Sequence, residues 1–525
     1  MTTTSPVEAT DPSVAANPAR WFVLAVVCVA TYAVLVDTSI VNVALPTLVR
    51  ELDATTTELK WIVDAYNLAF ASLVLVGGSL GDRFGRKTML LLGLAVFAFG
   101  NLVATTMNSP EGLMAMRAVM GVGAALVFPA TLSIITNVFT DRAERAKAIG
   151  LWGAMTGLGV ASAPIIGGWV IEQGSWRWVF AVVVPIAVVA FALAAWRVPQ
   201  SSDPDTPPLD LGGLGLSIVA LAALVTAIIQ GPEWGWLGSG TLSLFAVALV
   251  VGVAFVAWEL RRDQPMLDVS LFANPRFTAA SGSVTFAFFA LFGFIFLITQ
   301  YFQFVRGYDP LESGLHTVPF AVGAGITAPI AARLALRFGP RRVIPVGLLF
   351  MGVAQLWAST FEVDTSYFGP IILSMMVMAS GLSLVTSPAS ESVMGTLPRD
   401  MAGVGSAIND TSREIGGTLG VAIIGSIFAS TYGPKIVDLL IPLSLPEAAV
   451  SSAKESVGAA FAVAEQVGEP SLAGTIRDAA GASFLDGFQA ACTTVGIVAL
   501  CGSLLALRFL PTRVVKPAEA VSTSV

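Results

Sequence analysis

The chain has 525 residues, 55% of them hydrophobic and only 12% charged, with a formal net charge of −7 and a single histidine, His316. With a mean hydropathy of +0.79, it carries too little charge to cover the surface of a soluble protein of this length, so that class is excluded. The apolar residues fall in runs of about 20, enough to span ~30 Å of hydrocarbon as helix; a barrel would show ten-residue alternating segments. The fold class is therefore an all-α polytopic membrane protein.

In chain order, a polar, acidic arm (residues 1–20) comes first. It lacks a basic segment ahead of a short apolar stretch and is not a cleavable signal peptide. Fourteen apolar runs follow. Six cover roughly 21–45, 60–81, 88–106, 112–136, 148–170 and 178–197, and two cover about 212–230 and 241–258. Six more cover about 278–304, 314–336, 343–361, 367–388, 404–430 and 484–508. The Pro/Ser/Asp-rich stretch from Pro199 to Asp210 reads as a linker ahead of the middle pair.

The expected organisation is six plus two plus six. An N-terminal bundle covers 21–198, a linker and two inserted helices 199–275, a C-terminal bundle 276–510, and a tail 511–525. A polar stretch over 431–483, with Val457, Phe461, Val463 and Val467 at partly helical spacing, reads as an extracytoplasmic loop carrying a surface helix or cap. With both termini cytoplasmic, 19 of the 28 lysines and arginines fall inside and 7 outside, while Arg117 and Arg413 sit within spans. That bias supports an even number of helices.

Cys28, Cys492 and Cys501 all lie in apolar runs and read as buried thiols. No His/Cys cluster suits a metal, no Ser-His-Asp set stands apart from the one histidine, and no G-x-x-x-x-G-K-[ST] loop is present. The chain is therefore expected to be neither an enzyme nor ATP-driven, with no cofactor, no metal and no nucleic-acid partner.

The connection between the second and third runs reads Gly78-Ser79-Leu80-Gly81-Asp82-Arg83-Phe84-Gly85-Arg86-Lys87. It holds more charge than a short turn needs for solubility. The pattern G-x-L-G-D-R-x-G-R-K resembles the signature loop of the major facilitator superfamily of secondary transporters. A weaker echo, Ala332 to Arg342, holds the same place in the last six runs and suggests two related halves with a site between them.

Other stretches carry the same resemblance. Arg117, in Met114-Ala115-Met116-Arg117-Ala118-Val119-Met120-Gly121, resembles the superfamily's helix 4 motif, whose arginine assists proton transfer. Gly150, Gly159 and Ala163-Pro164-Ile165-Ile166-Gly167-Gly168 resemble the antiporter motif of its drug-export branches, although Ala163 stands where glycine is usual. Trp61 to Leu68 and Ser175 to Phe180 fit the fourteen-helix drug:proton antiporter branch, although Val183 stands where that branch often has Asn.

Polar residues within the spans are the candidate site. Asp37 lies about two thirds along the first run. An intramembrane acid is costly unless paired or neutralised, and an apolar setting favours the neutral form of any carboxyl. Asp37 thus suits proton coupling or cation binding, or else a hydrogen-bonded structural role. Arg117 is expected at similar depth, holding Asp37 ionised when close; the alternative is a static ion pair. Asp64 lies at the substrate mouth or merely at the interface.

In the thirteenth run Asp410 and Arg413, three apart, are expected to pair on one helix face. That leaves Glu414 as a second proton or cation site, or as a solvated interfacial carboxylate. The Phe-rich ninth run (Phe286 to Phe302) suits a cavity for lipophilic cations or simple packing, and Glu391 is equally open.

The resemblance implies further roles. Asp82 would face the N-terminus of the thirteenth helix, where exposed amides stabilise a carboxylate, so that the signature loop latches the cytoplasmic side. The whole would be a proton-coupled exporter of lipophilic, cationic compounds from the bacterial inner membrane, working as a monomer. The alternatives are a transporter of a neutral or anionic metabolite or antibiotic, or a nutrient importer. One charge crossing 100 mV supplies about 2.3 kcal/mol, enough to support a gradient of roughly 50-fold.

Overall fold

Every regular element among the described residues is helical. The structure, a computed structural model, describes residues 19–52, 56–202, 210–262, 265, 267–397, 401–443, 445–467 and 469–510. The C-terminal tail and all but the last two residues of the N-terminal arm lie outside them.

The chain opens with α1 (Arg20–Leu52), α2 (Thr56–Phe84), α3 (Arg86–Ala104), α4 (Pro110–Val138) and α5 (Arg142–Glu172). A single turn, α6 (Trp178–Ala181), runs on into α7 (Val183–Arg197), and α8 (Leu211–Trp234) and α9 (Ser239–Glu259) form a hairpin. Then come α10 (Pro275–Gln300), α11 (Pro310–Phe338), α12 (Pro340–Ala358), α13 (Ile372–Met394) and α14 (Ala402–Leu440). The short α15 (Glu447–Glu455) and α16 (Val457–Gln466) precede α17 (Pro470–Phe509).

Thirteen helical segments among the described residues are long and apolar enough to cross a membrane, with α6 and α7 counted as one. The remaining long helix, α12, has 19 residues and carries Arg341 and Arg342 in its first turn, which dilutes its apolar content. It still packs on α13 and α17 as a core element. Including α12, the order of helices is consistent with fourteen spans.

Two expectations change. The stretch 431–483 is mostly helix: α14 runs on through Pro434 to Leu440, and α17 starts at Pro470. Proline at the first helical position costs nothing, since its missing N–H has no intrahelical partner there. Val457, Ala460 and Val463 of α16 are buried with the neighbouring helices, and the Tyr432 hydroxyl donates to the Ala453 carbonyl at 2.9 Å.

The signature stretch is also barely a loop. Gly78 to Phe84 continue α2, and Arg86 and Lys87 already belong to α3. Only Gly85 breaks the helix, at φ 98°, a conformation that side chains with a Cβ disfavour. The echo does the same: Phe338 ends α11, Gly339 turns at φ 81°, and Pro340 begins α12.

The apolar core falls into two main clusters. One draws on α1 to α7 with Met394 and Ala402, and the other on α10 to α17 with Leu75, Val76, Leu214 and Phe255. The halves meet where α14 lies on α2 and α4, and where α5 lies on α11 and α13. The α8–α9 hairpin attaches through α8 to α2 and α14.

Candidate functional site

The structure brings Asp37 and Arg117 together. Arg117 Nη1 donates to Asp37 Oδ2 at 2.7 Å, and neither side chain is exposed. The guanidinium is held by α2: its Nε donates to the Ile62 carbonyl at 3.0 Å, and it lies 4.4 Å from the Tyr66 ring centre. Asp37 Oδ1 accepts no hydrogen bond. A buried charge without a partner costs several kcal/mol, so this pair ties α1, α2 and α4 into one unit while one carboxylate oxygen stays unsatisfied. Asp64 is half-buried on α2.

Asp82 reaches across to the other half. Its Oδ1 accepts from Gly403 N at 2.9 Å and its Oδ2 from Val404 N at 3.0 Å. These amides open α14, where they have no intrahelical carbonyl to bond, and the negative charge matches the helix dipole. Arg86 braces the same carboxylate through Nε (3.1 Å) and Nη2 (2.8 Å). Two glycines allow the approach, since a Cβ on Gly78 would collide with the Gly403 carbonyl and one on Gly403 with that of Gly78. Lys87 Nζ donates to the Ala195 carbonyl at 2.8 Å, and Arg83 lies beside the Phe84 ring.

Asp410 and Arg413 do not form the expected ion pair. Instead, the Arg413 guanidinium sits between two rings, 4.5 Å from the centre of Trp152 on α5 and 5.0 Å from that of Phe288 on α10. Both residues are buried, and Asp410 Oδ2 and Arg413 Nε have no hydrogen-bond partner. Aromatic faces attract a desolvated guanidinium, and Trp152 is fixed because its indole N–H is shared between Thr31 and Thr131. Glu414 is half-buried, and Tyr66 lies within electrostatic reach of Asp37, Arg117 and Glu414 together. Asp37 and Glu414, from opposite ends of the chain, thus both lie near Tyr66.

The α5 glycines divide between two neighbours. Gly159 and Gly167 press on α1 at Leu35, Ile40 and Val43, on either side of Asp37. Gly150 and Gly168 face α11 at Ala328 and Leu311, and Pro164 abuts Gly314. The motif therefore packs α5 between the halves. The aromatics of α10 and of the turn that follows it mostly pack too, since Phe289, Phe294, Tyr301 and Phe302 are buried in the core, while Phe288 lies over Arg413.

One contact had no firm sequence signal. Arg145 of α5 holds Glu391 of α13 with both arms, Nε to Oε2 at 3.0 Å and Nη2 to Oε1 at 2.8 Å. It lies at the same end of the molecule as the Asp82 contact, because the C-terminus of α13 leads into α14. Leu336 occupies the place in the echo that corresponds to Asp82, so α11 offers no carboxylate there; the start of α5 is capped by its own Asp141, and this ion pair joins α5 to α13.

The profile of the Major Facilitator Superfamily matches residues 27–421. The chain belongs to the major facilitator superfamily. Among its superfamily relatives is the multidrug efflux pump LfrA of Mycolicibacterium smegmatis, 34% identical over 494 residues, covering 94% of this chain and 97% of that one. The methyl viologen resistance protein SmvA of Salmonella typhimurium is 32% identical over 489 residues, covering 92% and 96%. In fold, the chain is similar to the human organic anion transporter MFSD10 (TM-score 0.62, 15% identity, covering 93% and 100%). Membership makes this chain a membrane-spanning transporter of small molecules.

Proposed function

We propose that the chain is a proton-coupled exporter of lipophilic cations. The observation that carries this is the charge balance between the halves. Three carboxylates, Asp37, Asp410 and Glu414, stand against two guanidiniums, Arg117 and Arg413. A surplus of one negative charge within the spans favours neutralisation by a proton or by a bound cation. Competition between the two for the same surplus is what exchange requires. The names of LfrA and SmvA, a multidrug efflux pump and a methyl viologen resistance protein, support a drug substrate and a cationic one.

The two halves, 21–198 and 276–510, would rock about this region. The Asp82 cap and the Arg145–Glu391 pair would close the cytoplasmic end and part when it opens. The protein would sit in a bacterial inner membrane with both termini cytoplasmic and act as a monomer.

The test is ethidium efflux from energised cells or inside-out vesicles, comparing wild type with Asp37→Asn, with and without a protonophore. Loss of efflux under both treatments supports the proposal. Efflux that ignores the protonophore refutes proton coupling. Protonophore-sensitive efflux that survives Asp37→Asn moves the coupling site to Asp410 or Glu414.

A further inference from the structure

The inserted hairpin does not lie flat on the body. Of the 21 residues of α9, only Thr241, Phe255 and Glu259 are buried, and the helix packs chiefly on α8. The hairpin is pinned at its ends. At the turn, the Trp236 indole donates to Ser426 of α14 at 3.0 Å; at the base, Glu259 Oε2 accepts from Leu267 N at 3.2 Å. Between these pins a cavity of about 780 Å³ separates α9 from α10 and α14. It opens at the surface, since Leu249 and Val253 line it and are 68% and 60% exposed.

The lining shows what fills it. No charged side chain lines the cavity. Four hydroxyls do, and each is already spent on its own helix: Ser217 on the Leu214 carbonyl, Thr285 on Ser281, Thr411 on Ala407 and Ser412 on Ile408. Each hydroxyl keeps only its acceptor lone pairs, so the lining offers an occupant no charge and no free hydrogen-bond donor and suits an apolar one. The surrounding solvent at this depth is hydrocarbon. We propose that the cavity seats the acyl chain of a membrane phospholipid, which becomes a wall of the α2–α14 seam. Ile408, Thr411, Ser412 and Ile415 face the chain, while the adjacent Asp410, Arg413 and Glu414 serve the site between the halves. The lipid therefore contacts the helix that Asp82 caps.

The test uses the full-length protein in nanodiscs of phosphatidylethanolamine and phosphatidylglycerol, with a trace of phosphatidylglycerol carrying a diazirine at mid-chain. Photolysis followed by peptide mass spectrometry reads the adducts. Ile415 and Thr411 should be labelled several-fold above Phe99 and Leu102, which are exposed on α3 and report passing lipid. Gly252 lines the cavity, and a Cβ there meets nothing within 4 Å. Gly252→Phe should therefore fill the space and bring labelling of Ile415 down to the Phe99 level, with Ala248→Leu as a milder second variant. Gly215→Phe, outside the cavity on α8 with equally open space, should change nothing. The proposal is overturned if Ile415 labels no more than Phe99, or if labelling persists in both filled variants. It is also overturned if ethidium displaces the lipid adducts, which would make the occupant a transported compound.

Discussion

The Asp82 carboxylate caps α14 by taking the amides of Gly403 and Val404, more than 300 residues further along the chain. Hydrogen bonds to a charged group contribute about 1.5–3 kcal/mol each, and Asp82→Asn loses the charge and one of the acceptors. We expect it to free the start of α14. In a background without Cys28, Cys492 and Cys501, a cysteine replacing the buried Ser406 should react faster with a maleimide once Asp82 is Asn. Equal rates would mean that the cap does not hold this end shut.

The three glycines of the signature stretch should respond differently to alanine. Gly85 holds φ 98° and ψ 133°, a conformation reached almost only by glycine, where another residue costs about 1–3 kcal/mol. A Cβ on Gly78 meets the Gly403 backbone, whereas one on Gly81 meets nothing within 4 Å. Gly85→Ala and Gly78→Ala should lower the melting temperature in detergent, and Gly81→Ala should leave it unchanged. A Gly81→Ala variant as unstable as the other two would contradict the packing described.

Removing Arg117 leaves Asp37 buried and unpaired, which costs roughly 3–5 kcal/mol in a site of this kind. Arg117→Met should therefore destabilise the protein more than the double variant Asp37→Asn/Arg117→Met. The double variant should regain thermal stability without regaining proton-driven transport. Full proton-coupled transport by the double variant would reduce the pair to a structural device.

Arg145 and Glu391 should behave as one unit. Either single neutralisation, Arg145→Gln or Glu391→Gln, should impair transport, and the double variant should be little worse than the singles. A coupling energy of about 0.5–3 kcal/mol is the expected range for contacting residues. Additive losses would show that the pair does not act as a closure.

Arg413 tests the stack. Lysine keeps the charge but not the flat guanidinium that lies between Trp152 and Phe288, and such a swap is not conservative at a stacked site. Arg413→Lys should reduce transport nearly as much as Arg413→Gln. Wild-type rates in Arg413→Lys would show that charge alone matters there.

Hydropathy and helical length determined much of this protein from the sequence alone. The membrane class, the positions of the spans, the paired echo at Gly85 and Gly339, and the identity of the intramembrane acids all follow from local pattern, because in lipid each span must satisfy its own backbone. The Asp37–Arg117 pair is expected from similar depth in the spans together with the resemblance, and the Asp82 contact with α14 from the resemblance alone. Tertiary structure alone decided the rest. It set Arg413 against Trp152 and Phe288 rather than Asp410, joined α5 to α13 through Arg145 and Glu391, and left α9 standing off from α14. Each of these depends on which helix faces lie opposite one another. The periodicity of a single span says how it is oriented toward apolar surroundings, but a helix in lipid finds much the same apolar environment on every side. The partner across the seam, 246 residues away for Arg145 and Glu391, is fixed only when the two halves dock.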